Sequence, residues 1–395
     1  MENYQSVYLK KGKDESLRRR HPWVFSGALS HADDGVSEGD IVKVVSYDGE
    51  VMGVGHFQLG SIAVRMLAFE NIEIDDSFWN QRLALALSVR KNIGLTENTQ
   101  GNTFRLVHGE GDQLPGLVID CYGETAVIQA HSVGMHESRM SISNSLMQLD
   151  GLNIKNVYYK SETTLPYKAG VETENGFLVG DNAGDIAIEN GLRFHIDWLR
   201  GQKTGFFIDQ RDNRQLLESY AKGKNVLNMF CYTGGFSVYA LRGGANLVHS
   251  VDSSEKAISL TRQNVELNFP ADNRHQAFCE DAFRFLDKAS EKYDLIVLDP
   301  PAFAKHRHAL HNALKGYTRL NAKGIEMVKP GGILFTFSCS QAVSKEQFQA
   351  AVFTAALRAR RNVRILHQMH QPADHPINIY HPEGEYLKGL VLYVE

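Results

Sequence analysis

Acidic side chains that could bind a nucleotide follow two apolar segments in the second half of the sequence. Asp252 follows Leu247–Val251, and Glu280 and Asp281 follow His275–Phe278. A carboxylate can accept hydrogen bonds from the hydroxyls of a ribose or from the amino group of an adenine. We therefore predict that Asp252 holds a ribose diol and that Asp281 faces an adenine.

Two further segments carry groups suited to catalysis. One is Asp299-Pro300-Pro301, in which the prolines stiffen the loop and leave backbone carbonyls available to a bound base. The other is Ser338-Cys339-Ser340. A thiolate is a strong nucleophile, and the sequence has no Cys-x-x-Cys pair typical of a zinc site or a redox motif. We expect four free thiols: Cys121, Cys231, Cys279 and Cys339.

A glycine-rich turn lies between the segments Asn225–Met229 and Phe236–Arg242. Gly234 and Gly235 would let a ligand lie against the backbone at the beginning of a helix. A glycine turn followed by an acidic residue about 20 positions later also occurs in dinucleotide-binding dehydrogenases. Because the spacing here is not G-x-G-x-x-G, the turn counts against a dehydrogenase.

From residue 225 onward, strand patterns alternate with helix patterns, which predicts an α/β fold with a parallel sheet. In such a sheet, ligands bind beyond the carboxyl ends of the strands, where the polar residues named above lie. The predicted strands are 225–229, 247–251, 275–278, 295–298, 333–337, 363–369 and 387–394. The predicted helices are 236–242, 255–268, 282–290, 310–328 and 345–359.

Two other regions precede this α/β region. Short strands punctuated by glycine predict a small β-barrel up to about residue 69, and strands mixed with helices over 76–93 and 135–149 are typical of an α+β domain. The predicted strands here are 6–9, 40–45, 51–55, 62–67, 116–120, 125–129, 156–159 and 192–199. We therefore predict three domains, at 1–72, 73–190 and 191–395.

The 395 residues are 43% hydrophobic and carry a formal net charge of −4. This length and composition allow several buried cores. The beginning of the chain has no apolar stretch long enough for a signal peptide, and no later run approaches the roughly 20 residues that cross a bilayer. We expect a soluble, cytoplasmic protein, in which local basic clusters rather than the total charge would decide whether nucleic acid binds.

These motifs occur in the order found in class I S-adenosylmethionine-dependent methyltransferases, which the chain resembles. Upstream, residues 203–214 resemble the signature K-T-G-x-x-x-D-Q-R, and residues 20–27 resemble the beginning of an RNA-binding PUA domain. The family that the whole chain resembles methylates carbon 5 of cytosine in 23S rRNA. The segments that carry the resemblance are 20–27, 203–214, 228–237, 251–252, 280–281, 299–301, 337–340, 374–376 and 382–389.

The resemblance implies a Rossmann-like catalytic domain with a seven-stranded, mostly parallel sheet, preceded by a PUA β-barrel and a central α+β domain. It also implies S-adenosyl-L-methionine as cofactor, 23S rRNA as partner and, by analogy with relatives, a homodimer. The cofactor-binding residues would be Asp209, Gln210, Arg211, Asn228, Phe230, Tyr232, Thr233, Gly234, Gly235, Asp252, Ser253, Asn264, Asp281, Ala282, Asp299 and Pro300. The RNA-binding residues would be Lys10, Lys11, Arg18, Arg19, Arg20, Lys305 and Arg307.

In the implied reaction, Cys339 and Asp299 are the catalytic residues. Carbon 5 of cytosine is not nucleophilic enough to take a methyl group directly, so the thiolate of Cys339 would first add to carbon 6. Asp299 would hydrogen-bond or protonate ring nitrogen 3. The chain departs from many relatives at Ala302, where they have a lysine directly after the two prolines; the next lysine here is Lys305.

The sequence leaves three other functions open. A methyltransferase acting on a guanine nitrogen would need no covalent adduct with the enzyme. An RNA-binding assembly factor would keep the fold without catalysis, and a nucleotide-dependent oxidoreductase would bind a nicotinamide cofactor instead.

We expect no metal ion, since the implied chemistry needs none. His306, His308 and His311 lack a matching set of cysteines or carboxylates, so we interpret them as a solvated or RNA-facing cluster. We expect His21 and Trp23 to pack within their domain, and the cysteines other than Cys339 to be packing residues.

Overall fold

The structure is a computed structural model that describes residues 4–96, 100–166, 173–181, 184, 186–288, 293–304 and 307–395. The chain forms two compact units, which are described separately. The first unit comprises Met1–Gly191, Ile196–Ile208 and Ala373–Gly384, and the second comprises Leu192–His195, Asp209–Pro372 and Glu385–Glu395. The division into three domains stays a prediction.

The first unit begins with one six-stranded sheet. Its strand order is β2-β6-β5-β4-β1-β3, and apolar side chains of β1, β4 and β6 form a buried cluster on one of its faces. The four strands predicted here are confirmed, whereas β2, β3 and the one-turn helix α1 were not predicted because they are too short to show a period. The elements are β1 (Ser6–Leu9), α1 (Glu15–Arg18), β2 (Trp23–Phe25), β3 (Leu29–Ala32), β4 (Ile41–Val45), β5 (Val51–Phe57) and β6 (Ile62–Ala68).

A helix and a second sheet complete the first unit. The sheet order is β11-β10-β9-β8-β7, and α2 shares a large apolar core with it. The elements are α2 (Asp76–Asn92), β7 (Thr103–His108), β8 (Leu117–Tyr122), β9 (Thr125–Ala130), α3 (Val133–Glu137), α4 (Arg139–Met147), β10 (Asn156–Tyr159), β11 (Gly176–Val179) and β12 (Ile186–Glu189).

The single helix predicted over 135–149 is wrong, because the structure has two helices that meet at Ser138. The Ser138 hydroxyl donates to the carbonyl of Gly134 at 2.8 Å. A side chain that bonds back to the preceding turn competes with the helical backbone ladder, which helps to explain the break.

The second unit contains the predicted seven-stranded sheet, with the order β16-β15-β14-β17-β18-β20-β19. Its first five strands in chain order are parallel, and β20 runs antiparallel between β18 and β19. The predicted α/β fold is confirmed. The elements are β13 (Leu192–His195), α5 (Arg211–Tyr220), β14 (Asn225–Met229), α6 (Gly235–Arg242), β15 (Leu247–Asp252), α7 (Glu255–Asn268), β16 (His275–Cys279), α8 (Ala282–Lys288), β17 (Tyr293–Leu298), α9 (Leu310–Met327), β18 (Val328–Ser338), α10 (Lys345–Ala359), β19 (Val363–Met369) and β20 (Lys388–Val394).

The strand order places a crevice at the centre of this sheet. β14 lies between β15 and β17, so the chain leaves β14 in one direction across the sheet and later returns to its other side. Loops at such a switch point diverge and leave room for a ligand. The strand predicted over 192–199 is shorter, since β13 ends at His195. Over the described residues, no helix is both long and apolar enough to cross a membrane.

Candidate active site

The turn after β14 has an unusual backbone. Phe230, Tyr232 and Gly234 all have positive φ angles, of 59°, 46° and 76°. Side chains other than glycine rarely adopt this conformation, and it persists only where the surroundings enforce it. Here the Tyr232 amide donates to Asp252 Oδ2 at 3.1 Å, and the Thr261 hydroxyl donates to the Tyr232 carbonyl at 2.9 Å.

Both glycines of the turn lie too close to neighbouring atoms to carry a side chain. A Cβ on Gly234 would lie 2.7 Å from Thr261 Cγ2, and a Cβ on Gly235 would lie 2.9 Å from Arg214 Cδ. The two glycines therefore let the turn pack closely against α7 and α5, and Gly235 is the first residue of α6, the kind of helix beginning at which nucleotide-like ligands bind. This observation fits S-adenosylmethionine.

Asp252 ends β15 beside this turn, as predicted. Besides the bond from Tyr232, its Oδ1 accepts from the Ser254 amide at 2.9 Å. The carboxylate is only partly buried, so further lone pairs could accept from a ribose diol.

Two predicted cofactor-binding asparagines are buried within the unit. Asn264 donates to the Thr233 carbonyl at 2.9 Å and accepts from the His195 amide at 2.8 Å. Asn228 donates to Ser237 Oγ at 2.8 Å. Asn264 would thus contribute to cofactor binding by holding the turn in its shape.

The predicted adenine-binding residues lie at the end of β16 and nearby. Asp281 is exposed and its Oδ1 accepts from the Arg284 amide at 3.0 Å, so it caps α8. Ser253 is also exposed, whereas Ala282 is buried. The Asp281 carboxylate has capacity for a second donor, such as an adenine amino group.

The predicted catalytic pair follows two adjacent strands. Asp299 comes after β17 and Cys339 after β18, and these strands are paired in parallel. Cys339 Sγ lies 4.0 Å from the Pro300 carbonyl oxygen. The sheet therefore brings the two groups together as the sequence predicts.

Burial is the main cause of the altered pKa values of both groups. It raises the pKa of Asp299 to about 7, with a further increase from the negative charge of Asp209 and opposing effects of a hydrogen bond from Gln210 and the charge of Arg214. It raises the pKa of the Cys339 thiol to about 12, and the charges of Asp299 and Asp209 add to this. Near neutral pH the thiol is therefore protonated, while the Asp299 carboxyl group is only partly protonated.

Two residues of the D-Q-R signature, Asp209 and Gln210, lie near Asp299. Gln210 is buried and hydrogen-bonds Asp299, and Arg211 is buried and lies 3.4 Å from Asp212. Asp209 Oδ2 accepts from the Tyr386 hydroxyl at 2.8 Å, while its buried Oδ1 has no hydrogen-bond partner among the described residues. That orphaned acceptor is another feature that a bound ligand would satisfy.

Lys388 is a residue of this site to which the sequence assigned no role. It is 5% exposed, and its ammonium donates to the carbonyls of Ser340 and Tyr386, each at 2.7 Å. Its charge lowers the pKa of Cys339, and burial lowers its own pKa to about 8. A lysine opening an otherwise apolar strand was the available signal, but only the pairing of β20 with β18 shows which residues it meets.

Hydroxyl groups flank the nucleophile. Ser340 Oγ accepts from the Ala304 amide at 3.3 Å and lies 2.9 Å from the Tyr317 hydroxyl. Ser338 also hydrogen-bonds Tyr317. These contacts hold both serines in the buried interior and so fix the backbone on either side of Cys339.

The five predicted RNA-binding residues near the beginning of the chain are exposed, but several are already paired. Arg18 lies 2.6 Å from Asp14 and 2.7 Å from Glu50, and Arg19 pairs with Glu15. Lys10 donates to the Gly27 carbonyl at 3.1 Å, Lys11 lies over the Tyr47 ring, and Arg20 lies over the Phe69 ring. Lys305 lies outside the described residues, and of Arg307 only the backbone is described.

The remaining cysteines differ from one another. Cys121 and Cys231 are buried, as predicted for packing residues, but Cys279 is exposed. That prediction is wrong for Cys279 because it ends an edge strand of the sheet, where nothing covers it.

Comparisons with known proteins match both parts of the chain. A family model described as S-adenosylmethionine-dependent methyltransferase matches residues 162–378, and one described as PUA-like domain matches residues 7–69. Two proteins named ribosomal RNA large subunit methyltransferase I, from Aeromonas hydrophila and Alteromonas mediterranea, are each 40% identical, with 98% of both chains covered.

Solved structures show the same fold. A protein from Streptococcus mutans described as a SAM-dependent methyltransferase has a TM-score of 0.84 at 22% identity, covering 98% of this chain and 99% of that one. SMU.776, described as a methyltransferase complexed with SAH, has a TM-score of 0.85 at 23% identity with the same coverage. The chain therefore belongs to the S-adenosylmethionine-dependent methyltransferase family, together with the relatives named ribosomal RNA large subunit methyltransferase I.

Proposed function

We propose that this methyltransferase modifies carbon 5 of a cytosine in 23S rRNA, through a covalent bond between Cys339 and the base. The observation that carries the proposal is the placement of a thiol and a proton-bearing carboxyl group at the ends of two adjacent strands. The names of the relatives support large-subunit rRNA as the substrate.

The two side chains divide the chemistry between them. The Cys339 thiolate adds to carbon 6, and electron density moves onto carbon 5 and ring nitrogen 3. With a pKa of about 7, Asp299 is partly protonated near neutral pH and can donate its proton to nitrogen 3. Bound S-adenosylmethionine supplies an electrophilic methyl group for carbon 5. A base, such as a water molecule, then takes the carbon-5 proton, the bond from carbon 6 to sulfur breaks to release the thiolate, and the nitrogen-3 proton returns to Asp299, which restores the ring.

The thiol must lose its proton before it attacks. In the resting enzyme its pKa of about 12 keeps it protonated. A protonated Asp299 removes one of the two negative charges that oppose the thiolate, and the Lys388 ammonium favours it. Protonation of Asp299 therefore has two effects: it supplies the proton for nitrogen 3 of the cytosine, and it makes the thiolate form of Cys339 more favourable.

The base must leave any RNA helix to reach a partly buried cysteine. Exposed basic residues such as Lys10, Lys11 and Arg20 would contribute phosphate contacts. An rRNA substrate is consistent with the predicted cytoplasmic location, and the homodimer also stays a prediction.

The test is transfer of labelled methyl groups from S-adenosylmethionine to rRNA from cells that lack the enzyme. Wild type, Cys339→Ala and the exposed-thiol control Cys279→Ala are compared, and the modified nucleoside is identified by mass spectrometry. We expect 5-methylcytidine with wild type and the control, and none with Cys339→Ala. Label on guanine or adenine, or methylation that survives Cys339→Ala, would refute the covalent mechanism.

A further inference from the structure

Three potential metal ligands meet in the first unit, in a place that methyl transfer does not use. His21 precedes β2, and His381 and Glu383 lie at a 3-10 helix formed by Pro382–Gly384. One ligand atom from each of the three side chains lies within 4.8 Å of the other two. The two histidines come from opposite ends of the sequence, so their meeting is a property of the tertiary fold.

His381 is buried in a way that leaves its polar atoms unsatisfied. It is 3% exposed, and neither Nδ1 nor Nε2 has a hydrogen-bond partner among the described residues. Burying an unbonded polar group costs free energy, because its hydrogen bonds to water are lost and not replaced. Buried ring nitrogens of this kind are normally hydrogen-bonded or bound, and the partners that remain are a water molecule or an ion.

The geometry favours an ion. His21 Nε2 and His381 Nε2 lie 3.7 Å and 3.8 Å from the same oxygen, Glu383 Oε2. These separations are too long for hydrogen bonds. Two ligands bound at about 2.1 Å to one tetrahedral zinc ion lie roughly 3.4 Å apart. Each histidine–carboxylate separation would therefore need to close by only a few tenths of an ångström, and the ligand atoms of the two histidines lie within 4.8 Å of each other.

The surrounding side chains fix the histidines in this arrangement. The Trp23 ring packs edge-on against His381 with a centroid distance of 4.3 Å, and its Nε1 donates to Glu110 Oε1 at 2.8 Å. His21 Nδ1 lies 3.4 Å from the Trp23 carbonyl oxygen. The same Nδ1 accepts from the Trp23 amide at 3.2 Å, so the Trp23 backbone holds Nδ1 and Nε2 is the ring nitrogen that faces Glu383.

We propose that His21, His381 and Glu383 bind one divalent transition-metal ion of the zinc type, with solvent completing its coordination. Two imidazoles and a carboxylate suit zinc better than calcium or magnesium, which prefer oxygen ligands. Glu383 is about half exposed, so an ion can enter from solvent. The ion would hold the residues before β2 against the 373–384 segment, a structural role that is independent of methyl transfer.

The full-length protein is stripped with a chelator and titrated with Co²⁺ and then Zn²⁺. Binding is followed by the visible absorbance of Co²⁺, by quenching of Trp23 fluorescence and by metal content after dialysis. We expect one ion per chain, with loss of binding in His381→Ala and weakening by about tenfold or more in Glu383→Gln. The control His31→Ala removes an exposed histidine and should bind as wild type does.

Glu383→Gln keeps the test valid if His381→Ala disturbs the buried core, since residue 383 is largely solvent-facing. No retained ion in the wild type, or equal retention in all variants, would overturn the proposal. The three side chains would then be a histidine–carboxylate cluster without a metal.

Discussion

Three ionisable side chains of the candidate active site have pKa values that are shifted from their ordinary values towards the uncharged form. Those of Asp299 and Cys339 are raised, to about 7 and about 12, and that of Lys388 is lowered to about 8. Burial is the largest cause in each case. The resting site is therefore easily converted between charge states, which suits a reaction that moves protons between an acid, a thiol and a base.

Asp299→Asn should lower kcat by about 10²-fold and change its pH dependence. Asp299 donates only while protonated, so wild-type kcat should fall as pH rises through about 7, while deprotonation of the thiol favours higher pH. In the asparagine variant the limb that falls above pH 7 should disappear. The pH dependence of kcat is measured from initial rates between pH 6 and 9. If kcat of the variant still falls above pH 7 as in the wild type, a group other than Asp299 causes the fall.

The same substitution should stabilise the fold at alkaline pH. Because the pKa of Asp299 is higher in the folded than in the unfolded state, its ionisation costs stability as pH rises from about 4 through about 7. Asp299→Asn should therefore gain about 1–3 kcal/mol at pH 8 and little at pH 4. Urea unfolding followed by far-ultraviolet circular dichroism tests it, and equal changes at both pH values would contradict it.

Lys388→Met should raise the pKa of Cys339, because it removes the ammonium that opposes two carboxylates. The expected result is at least tenfold slower alkylation of Cys339 by iodoacetamide at pH 8, with partial recovery in Lys388→Arg. Peptide mass spectrometry separates the two reactive sites, and the exposed Cys279 serves as the reference within the same molecule. A proportional slowing at Cys279 would indicate a general structural change instead.

At the scale of elements, the turn between β14 and α6 is held in place by the neighbouring elements. It is held from α7 by Thr261 and Asn264 and from β15 by Asp252. Three residues on two separate elements thus fix one loop, so its shape should exist before the cofactor arrives.

Gly234→Ala should weaken S-adenosylmethionine binding by at least about tenfold, because the new Cβ would lie 2.7 Å from Thr261 Cγ2 and force the turn to move. Gly244→Ala is a matched control: its φ of 84° is also positive, but its Cβ would meet nothing closer than 3.7 Å. Both variants carry the backbone strain, of roughly 1 kcal/mol, and only the first has the steric clash. Calorimetric titration compares them; equal loss in both would show that strain alone matters.

At the scale of the whole molecule, a buried arginine connects distant parts of the first unit. Arg90 of α2 is 0% exposed and pairs with Asp112. It also donates to the carbonyl of Arg105 on β7 and to that of Asp374, each at 2.7 Å. The 373–384 segment is thereby anchored in the first unit although the residues on both sides of it belong to the second.

Arg90→Met should destabilise the first unit by about 3–5 kcal/mol, since it leaves the buried Asp112 carboxylate without its cation. Trp23, Trp79 and Trp198 all lie in this unit, so tryptophan fluorescence during urea unfolding reports on it. Arg18→Met, which removes an exposed ion pair, should cost less than about 1 kcal/mol. Similar losses in both variants would refute the special role of Arg90.

Local patterns in the sequence were sufficient to predict the order of strands and helices from residue 225 onward and the position of the polar residues after those strands, although helix α5 (Arg211–Tyr220) was not predicted. A buried parallel strand is a continuous apolar run, and a crossover helix has its own period, so both are visible in short windows. Asp299 and Cys339 could be placed together for this reason alone, because adjacent parallel strands end at the same edge of the sheet.

Only the tertiary structure decided the contacts that join distant parts of the sequence. The antiparallel insertion of β20 brings Lys388 opposite Ser338 and beside Cys339, and the path of residues 373–384 brings His381 to His21. Neither contact has a local pattern, because which strands pair depends on the burial of the whole sheet and not on the residues within one strand. The shifted pKa values of Asp299 and Cys339 could not be predicted from the sequence for the same reason, since their main cause is burial and burial is produced by the complete fold.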